Sequence, residues 1–537
     1  MESSQKNTIV KAAGFMMFTI VLSRALGYLR ELFISYKFGQ NIVTDAYNAA
    51  FSIPDFIYTV LVGGALSSAF IPVFSTYLAT NREKEGWKVA STVFNIVMLL
   101  LLLLVSAGLA FTPALIKLLV SGFDSEAISM TVILTRIMFA QVLFMCLAGI
   151  STGILHSYKH FTTPAVGGLL YNMAIIVGGL LLAAPIEMVW PGYGIAGFSV
   201  GVVLGALLQF AVQAPMLRKV GLKYSPILNL RDPGVKKLGL LMLPIFISLS
   251  VSQINLFITQ RLASGLTDGM LTALRYGQRI MYMPVGVFAV AIAVAIFPTL
   301  TYQAAQRKEG DFKNTASMGL RSVIFIVLPL SVLMAVLSTP LIRFMYEWGG
   351  EFTGADTPVT AAALFFYCFG LFSYGAIHVL NRIFYSLQDT KTTVLAGFLA
   401  ICLNILFSLA LVGPMHHEGL ALAYSLAGIA NAALLLVFWK RKCGDIGLPR
   451  IARSFGKVLV ASALMGGAVW GARGLWEKVF DTVGKLNQVL ELAVCALAGV
   501  AVYAAVALLW RMEEAVQVRN IFLKRFRHKQ TGEVSNN

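Results

Sequence analysis

Stretches of about 20 apolar residues, each long enough to cross a hydrocarbon layer about 30 Å thick, follow one another along nearly the whole chain. Few folds survive that constraint. Lipid offers no water to a spanning backbone, so its amides and carbonyls must pair internally, in α-helices or in a closed barrel. Barrel strands alternate in polarity, whereas runs such as Leu99–Val105 are continuously apolar. The chain is therefore read as an all-α polytopic membrane protein. Composition agrees, with 58% of the 537 residues hydrophobic and 12% charged. Fourteen spans are predicted, at 11–36, 45–78, 89–113, 127–152, 161–184, 193–217, 235–260, 269–303, 319–338, 358–386, 392–412, 418–439, 456–473 and 488–510. The first apolar run is too long, and too interrupted by arginine, to be a cleaved signal.

A net charge of +17 suggests nucleic acid at first sight, but its distribution points elsewhere. Cations crowd the loops after even-numbered spans, as in Arg82, Lys84 and Lys88, Lys236 and Lys237, and Lys440, Arg441 and Lys442. Loops after odd-numbered spans are poor in them and often acidic, as at Asp124, Glu126, Glu347, Glu351 and Asp356. This is the positive-inside pattern, which places both termini in the cytoplasm, assigns the basic charge to topology and the lipid surface, and argues against a nucleic-acid partner. The five cysteines (Cys146, Cys368, Cys402, Cys443, Cys495) have neither CxxC nor Cys/His spacing, so no disulfide or metal is implied. No P-loop, GxSxG or HExxH occurs, and His156, His160, His378, His416 and His417 read as polar filler.

The chain repeats itself. The pattern Ile53-Pro54…Ala69-Phe70-Ile71-Pro72 returns as Met283-Pro284…Ala295-Ile296-Phe297-Pro298, at an offset of 226 to 230 residues. Gly153–Tyr158 with Thr162-Thr163 returns as Arg382–Leu387 with Lys391-Thr392, at an offset of 229. Six spans separate the copies, and an even number keeps orientation, so the repeats are parallel. Two six-helix lobes are expected, an N-lobe at 1–225 and a C-lobe at 226–445, with spans 13 and 14 (446–512) as an appendage and a basic cytoplasmic tail at 513–537. Matched prolines in spans 2 and 8 remove helix hydrogen bonds, which makes Pro54 and Pro284, with Gly63 and Gly64, hinge candidates.

Charged residues within the spans need a reason. Arg24 and Arg30 interrupt the first span, where a guanidinium costs at least about 2.5–3.5 kcal/mol unless it meets water, a counter-ion or an anion. At 100° per residue, Arg24, Gly27, Arg30 and Glu31 share one face of the helix. A structural pair of Glu31 with either arginine is the bland alternative. Arg275 and Arg279 stand at i and i+4 in span 8. Arg136 and Arg382 are further in-membrane candidates, and Glu31, Asp45 and Asp55 are candidate counter-ions or gate partners. Clustered arginines suit a multidentate anion such as a diphosphate or a carboxylate.

These residues resemble a known family. Ser23-Arg24-x-Leu26-Gly27-x-x-Arg30-Glu31, Thr44-Asp45-Ala46-Tyr47 leading to Ile53-Pro54, Gly64–Pro72, Gln278-Arg279-Ile280 and Tyr385–Thr392 are similar to motifs of the MurJ (MviN) family of lipid II flippases. The resemblance implies a MATE-like fold of the multidrug/oligosaccharidyl-lipid/polysaccharide superfamily in the bacterial cell membrane. It implies alternating access for undecaprenyl-diphosphate-linked disaccharide-pentapeptide during peptidoglycan synthesis. It also implies that Arg24, Arg30 and Arg279 bind substrate, that spans 13 and 14 form a groove for the prenyl tail, and that the partners are lipid II, membrane lipids and the cell-wall synthesis machinery. Many members carry two arginines where Tyr58 and Thr59 stand, and Arg275 is the candidate replacement. Spans 7 and 11 hold no acid for the sodium site of some members, which leaves the coupling ion open; no cofactor is implied. Other readings are a flippase for another prenyl-diphosphate glycan, a MATE-type exporter, or a membrane-embedded transferase, which would need a catalytic acid.

Overall fold

Lipid-exposed leucines define the surface of this molecule: Leu103, Leu181 and Leu497 are 65%, 67% and 70% exposed, as only a hydrocarbon solvent favours. The computed structural model describes residues 2–63, 65–445, 447–480, 484–516 and 519. The helices are α1 (Glu2–Phe38), α2 (Ile42–Ala50), α3 (Ser52–Tyr58), α4 (Ala65–Ala79), α5 (Glu83–Leu119), α6 (Ser125–Ser157), α7 (Thr162–Val189), α8 (Ala196–Lys219) and α9 (Pro233–Ser264). They continue as α10 (Met270–Pro284), α11 (Val290–Ala305), α12 (Glu309–Val336), α13 (Ser338–Tyr346), α14 (Asp356–Ser386), α15 (Thr390–Cys443), α16 (Leu448–Val479) and α17 (Lys485–Leu509). Among the described residues, ten helical stretches are long and apolar enough to cross a membrane. The fold is all-α and polytopic, as expected. Spans 11 and 12 lie in α15, which is broken at His416, where φ is 49°.

Local chemistry sets the helix ends. Asn41 and Thr44 cap α2 reciprocally, Asp124 accepts the amide of Ala127 at the start of α6, and Asp232 precedes Pro233 at the start of α9. Small residues seam α7 to α8. A Cβ on Gly178 would lie 2.7 Å from the Cα of Gly201, a backbone approach that membrane helices use where hydrophobicity cannot drive association.

The sequence repeat is also a repeat of local geometry. A π-helical turn, Thr59–Gly63, lies between α3 and α4, and a second, Val285–Ala289, lies between α10 and α11, 226 residues later. Asn81 and Arg307, 226 apart, take left-handed φ of 57° and 54° just past α4 and α11. Lys159 and Gln388, 229 apart, do the same past α6 and α14, at 62° and 58°. The following amides, of His160 and Asp389, reach back to the carbonyls of Leu155 and Phe384 at 2.8 and 3.0 Å. The helix interruptions are therefore π-turns rather than simple proline kinks. One begins directly after Pro284 and the other five residues after Pro54, while Pro72 and Pro298 lie within α4 and α11. Gly63 ends the first π-turn, and Gly64 lies outside the described residues.

The chain divides into two compact units, Met1–Thr272 with Gly349–Phe352, and Ala273–Trp348 with Thr353–Asn537. The first unit runs past the expected lobe boundary at 225. The reason is packing: α9 lies against α3, α4 and α5. Gly349–Phe352 joins the first unit through the amide of Glu351, which donates to the carbonyl of Tyr36 at 2.8 Å. In the second unit α14 packs against α12 and α15, and α16 against α12 and α17. The expected basic tail lies outside the described residues beyond 516, apart from Arg519.

Candidate functional site

In the first unit the polar face of α1 meets α7. Arg30 donates from Nε (3.1 Å) and Nη2 (2.8 Å) to one oxygen, Oε1 of Glu31, and from Nη1 to Asn172 Oδ1 at 3.4 Å. Asn172 returns its amide hydrogens to Ser23 Oγ (3.3 Å) and the carbonyl of Gly168 (3.1 Å). Gly27 faces this amide, and a Cβ there would lie in ordinary contact, 3.6 Å from Asn172 Oδ1. The ion pair is largely buried, with the Arg30 and Glu31 side chains 15% and 9% exposed. Three of the five guanidinium hydrogens of Arg30 are engaged, which leaves two. Arg24, two turns earlier, is exposed and has no hydrogen-bond or ion-pair partner among the described residues. The structural pairing of Glu31 thus falls to Arg30, not Arg24, and the patch keeps a net positive charge.

Asp45 has a different setting from the counter-ion role expected of it. Its buried carboxylate accepts the amide of Gly269 (2.8 Å), the amide of Thr272 (2.7 Å) and the hydroxyl of Thr272 (2.6 Å), and Asn48 donates to that hydroxyl at 3.0 Å. It fixes the first turn of α10 within the first unit instead of balancing an arginine. Helix N-termini carry unpaired amides, and a carboxylate is the natural group to receive them. Asp55 is exposed in the first turn of α3, beside Pro54.

In the second unit Arg275 is half-buried and Arg279 exposed on α10. One turn further stands Tyr282, whose hydroxyl bonds that of Tyr424. Tyr424 stacks on Tyr374 at 4.8 Å between centroids, with Tyr367 edge-on at 5.6 Å. Arg382 lies over the ring of Phe297 at 5.2 Å, a packing role, and Arg136 is exposed. Tyr58 and Thr59, where two arginines were expected by family pattern, are half-buried at the start of the π-turn. Among the described residues no three of His, Cys, Asp and Glu come together in a metal-binding group.

Sequence reasoning missed Asn172, the pinning role of Asp45 and the tyrosine cluster. An asparagine inside an apolar span was the available signal for the first.

Comparison with known proteins follows the same lines. The family model described as lipid II flippase MurJ matches residues 34–491. A probable lipid II flippase MurJ of Rhizobium tropici is 31% identical over 499 residues, 91% of each chain. One of Haemophilus influenzae is 32% identical over 472 residues, 84% of this chain and 90% of its own. A solved structure of lipid II flippase MurJ in an inward closed conformation superposes with a TM-score of 0.77 at 27% identity, covering 92% of this chain and 98% of that one. An inward-facing MATE family transporter of the MOP superfamily shares the fold at 16% identity, with a TM-score of 0.61 over 78% of this chain and 98% of its own.

Proposed function

The chain belongs to the lipid II flippase MurJ family, and on that premise we propose that it carries lipid II from the inner to the outer leaflet of the bacterial cell membrane by alternating access. The observation that carries the binding step is the α1 patch at membrane depth, where Glu31 pairs with Arg30 and leaves Arg24 without a carboxylate partner among the described residues. Arg24 has its whole fork to offer, and Arg30, oriented by Glu31 and Asn172, has two hydrogens left. A diphosphate takes such forks in charge-assisted pairs, and a partly dehydrated setting strengthens them. In the second unit, Arg275 and Arg279 on α10 are the candidate substrate cations. The undecaprenyl tail lies along α16 and α17, which expose Leu464, Trp470 and Leu497.

The π-turns after Pro54 and Pro284 are where the helix ladder yields as access alternates. The basic loops after even-numbered spans support a cytoplasmic side for both termini, and lipid II delivered outside passes to the cell-wall synthesis machinery. The substrate leaves chemically unchanged, and no cofactor takes part.

The test is complementation in cells depleted of their own flippase, with lipid II on the outer leaflet measured by an added cleaving enzyme. Arg24→Ala should weaken lipid II binding about ten- to hundredfold, because the charge-assisted bonds lost are worth roughly 1.5–3 kcal/mol. Arg24→Lys should recover only part, keeping charge but not the planar fork. Normal growth and normal outer-leaflet lipid II with Arg24→Ala, at normal protein level, would defeat the assignment.

A further inference from the structure

Along α10, Arg275, Arg279 and Tyr282 stand at i, i+4 and i+7, within an arc of about 60° around the helix. Arg279 and Tyr282 are both exposed. An exposed guanidinium on a membrane helix faces water or ligand rather than lipid, so the stripe it shares with Tyr282 is wet. Behind Tyr282 the rings of Tyr374, from α14, and Tyr424, from α15, are stacked and half-buried. Packing alone would be served by phenylalanine, yet this group carries hydroxyls joined in sequence. Tyr374 donates to the carbonyl of Tyr424 at 3.1 Å, and the Tyr282 and Tyr424 hydroxyls bond each other. In that last pair one hydroxyl spends its hydrogen on the other. The Tyr424 and Tyr374 side chains are hydrogen-bonded as well, so the three hydroxyls form one chain that begins at the exposed Tyr282.

We propose that Tyr282, with Tyr424 and Tyr374 behind it, is a saccharide subsite that reads the sugar joined directly to a diphosphate held at Arg279. This rests on the lipid II reading above and names the part of the substrate that the α10 stripe recognises. In a glycosyl diphosphate the pyranose follows the phosphate immediately. Three helical residues separate Arg279 from Tyr282, a rise of about 4.5 Å, on the scale of one sugar ring. The exposed ring of Tyr282 offers an apolar face to the C–H side of a pyranose. The linked hydroxyls offer lone pairs to the O–H and N–H groups of its hydroxyl or acetamide substituents. A site built to exchange such hydrogen bonds discriminates against a ligand that lacks them.

The experiment compares two probes on the full-length purified protein, lipid II and undecaprenyl diphosphate, which keeps the tail and the diphosphate but has no sugar. Tyr282→Phe and Tyr424→Phe remove a hydroxyl and keep the ring. Each should weaken lipid II binding about fivefold to twentyfold and leave undecaprenyl diphosphate within about twofold. Arg279→Ala should weaken both. The readout is the ratio of the two affinities in one sample, so a partial loss of folded protein does not blur it. An unchanged ratio in both phenylalanine variants overturns the saccharide subsite, and with wild-type binding of lipid II intact it leaves the flippase reading standing. Wild-type protein that binds neither probe overturns that reading as well.

Discussion

Arg30 on α1 and Arg321 on α12 are both arginines on apolar helices beside carboxylates, and they are held in opposite ways. Arg321 is closed on two sides: Nε donates to Glu514 Oε1 and Nη2 to Glu513 Oε2, each at 2.6 Å. Ser454 on α16 donates to the same Glu514 oxygen at 3.0 Å, and both Arg321 and Glu514 are buried. Two carboxylates face one guanidinium, so the cluster has no appetite for an anion. At the α1 patch the balance is reversed: Glu31 meets Arg30, two hydrogens of that guanidinium are unspent, and Arg24 on the same helix has no carboxylate partner among the described residues. An arginine among apolar helices is thus not by itself a sign of substrate. The ratio of cations to carboxylates, and the donors left over, separate a clasp between helices from a receptor for a diphosphate.

The largest effect that could break this comparison belongs to the clasp. Arg321→Ala leaves Glu514 buried and uncompensated, and breaking a buried pair from one side costs about 3–5 kcal/mol. Thermal unfolding in detergent should move sharply downward and the protein should accumulate poorly. Replacing both partners, Arg321→Met with Glu514→Leu, should restore much of the loss, because apolar groups of similar size need no counter-charge. Arg24→Ala should do the opposite, keeping stability within about 0.5 kcal/mol, as surface changes do, while binding falls. If Arg321→Ala were as stable as the parent, the clasp would not be structural and the distinction would fail.

Asp45 sharpens the comparison from the carboxylate side. It is buried like Glu514 but meets amides and a hydroxyl rather than a guanidinium. Asp45→Ala should cost about 2–4 kcal/mol, since hydrogen bonds to charged groups contribute about 1.5–3 kcal/mol each and do not add fully. Asp45→Asn, which keeps an acceptor and places a second donor beside the amides, should fall between. Melting temperatures of the two variants decide it; a variant that loses transport at unchanged stability would return Asp45 to the role of a gate.

Much of this was legible in the amino-acid sequence, for physical reasons. Span positions follow from hydrophobic length: the predicted spans 89–113 and 127–152 lie inside α5 and α6, and 161–184 and 193–217 match α7 and α8 but start ahead of them. The repeat was legible because matched turns need matched residues: Lys159 and Gln388 hold the same left-handed φ within copies of one motif. Long-range partners were not legible. Arg321 finds Glu513 and Glu514 across 192 and 193 residues, and Arg30 finds Asn172 across 142. Periodicity shows which face of a helix is polar and says nothing of what that face meets. The π-turns escaped because proline marks a weakened hydrogen-bond ladder without fixing how the ladder re-forms.

The smallest expected effect concerns the two copies of the repeated turn, which share geometry but not charge. In the second copy Asp389 caps α15: it accepts the amide (3.1 Å) and hydroxyl (2.6 Å) of Thr392 and pairs with Lys442. In the first copy His160 takes the same backbone position, so the turn itself does not require a carboxylate. Burial pushes the Asp389 carboxyl upward, but Lys442 and Thr392 outweigh it and hold the group below the usual carboxylate range. A depressed folded pKa contributes stability above the unfolded value of about 3.9 and loses it as pH falls through the folded pKa. The contribution is therefore constant from pH 8 to pH 5. Lys442 is 57% exposed, which screens the pair, so Asp389→Asn should cost less than about 1 kcal/mol. Melting curves of parent and variant at pH 7.5 and pH 5 should differ by the same small amount. A gap that closes between those values would mean that Asp389 gains its proton there, and that Lys442 and Thr392 do not hold it ionised.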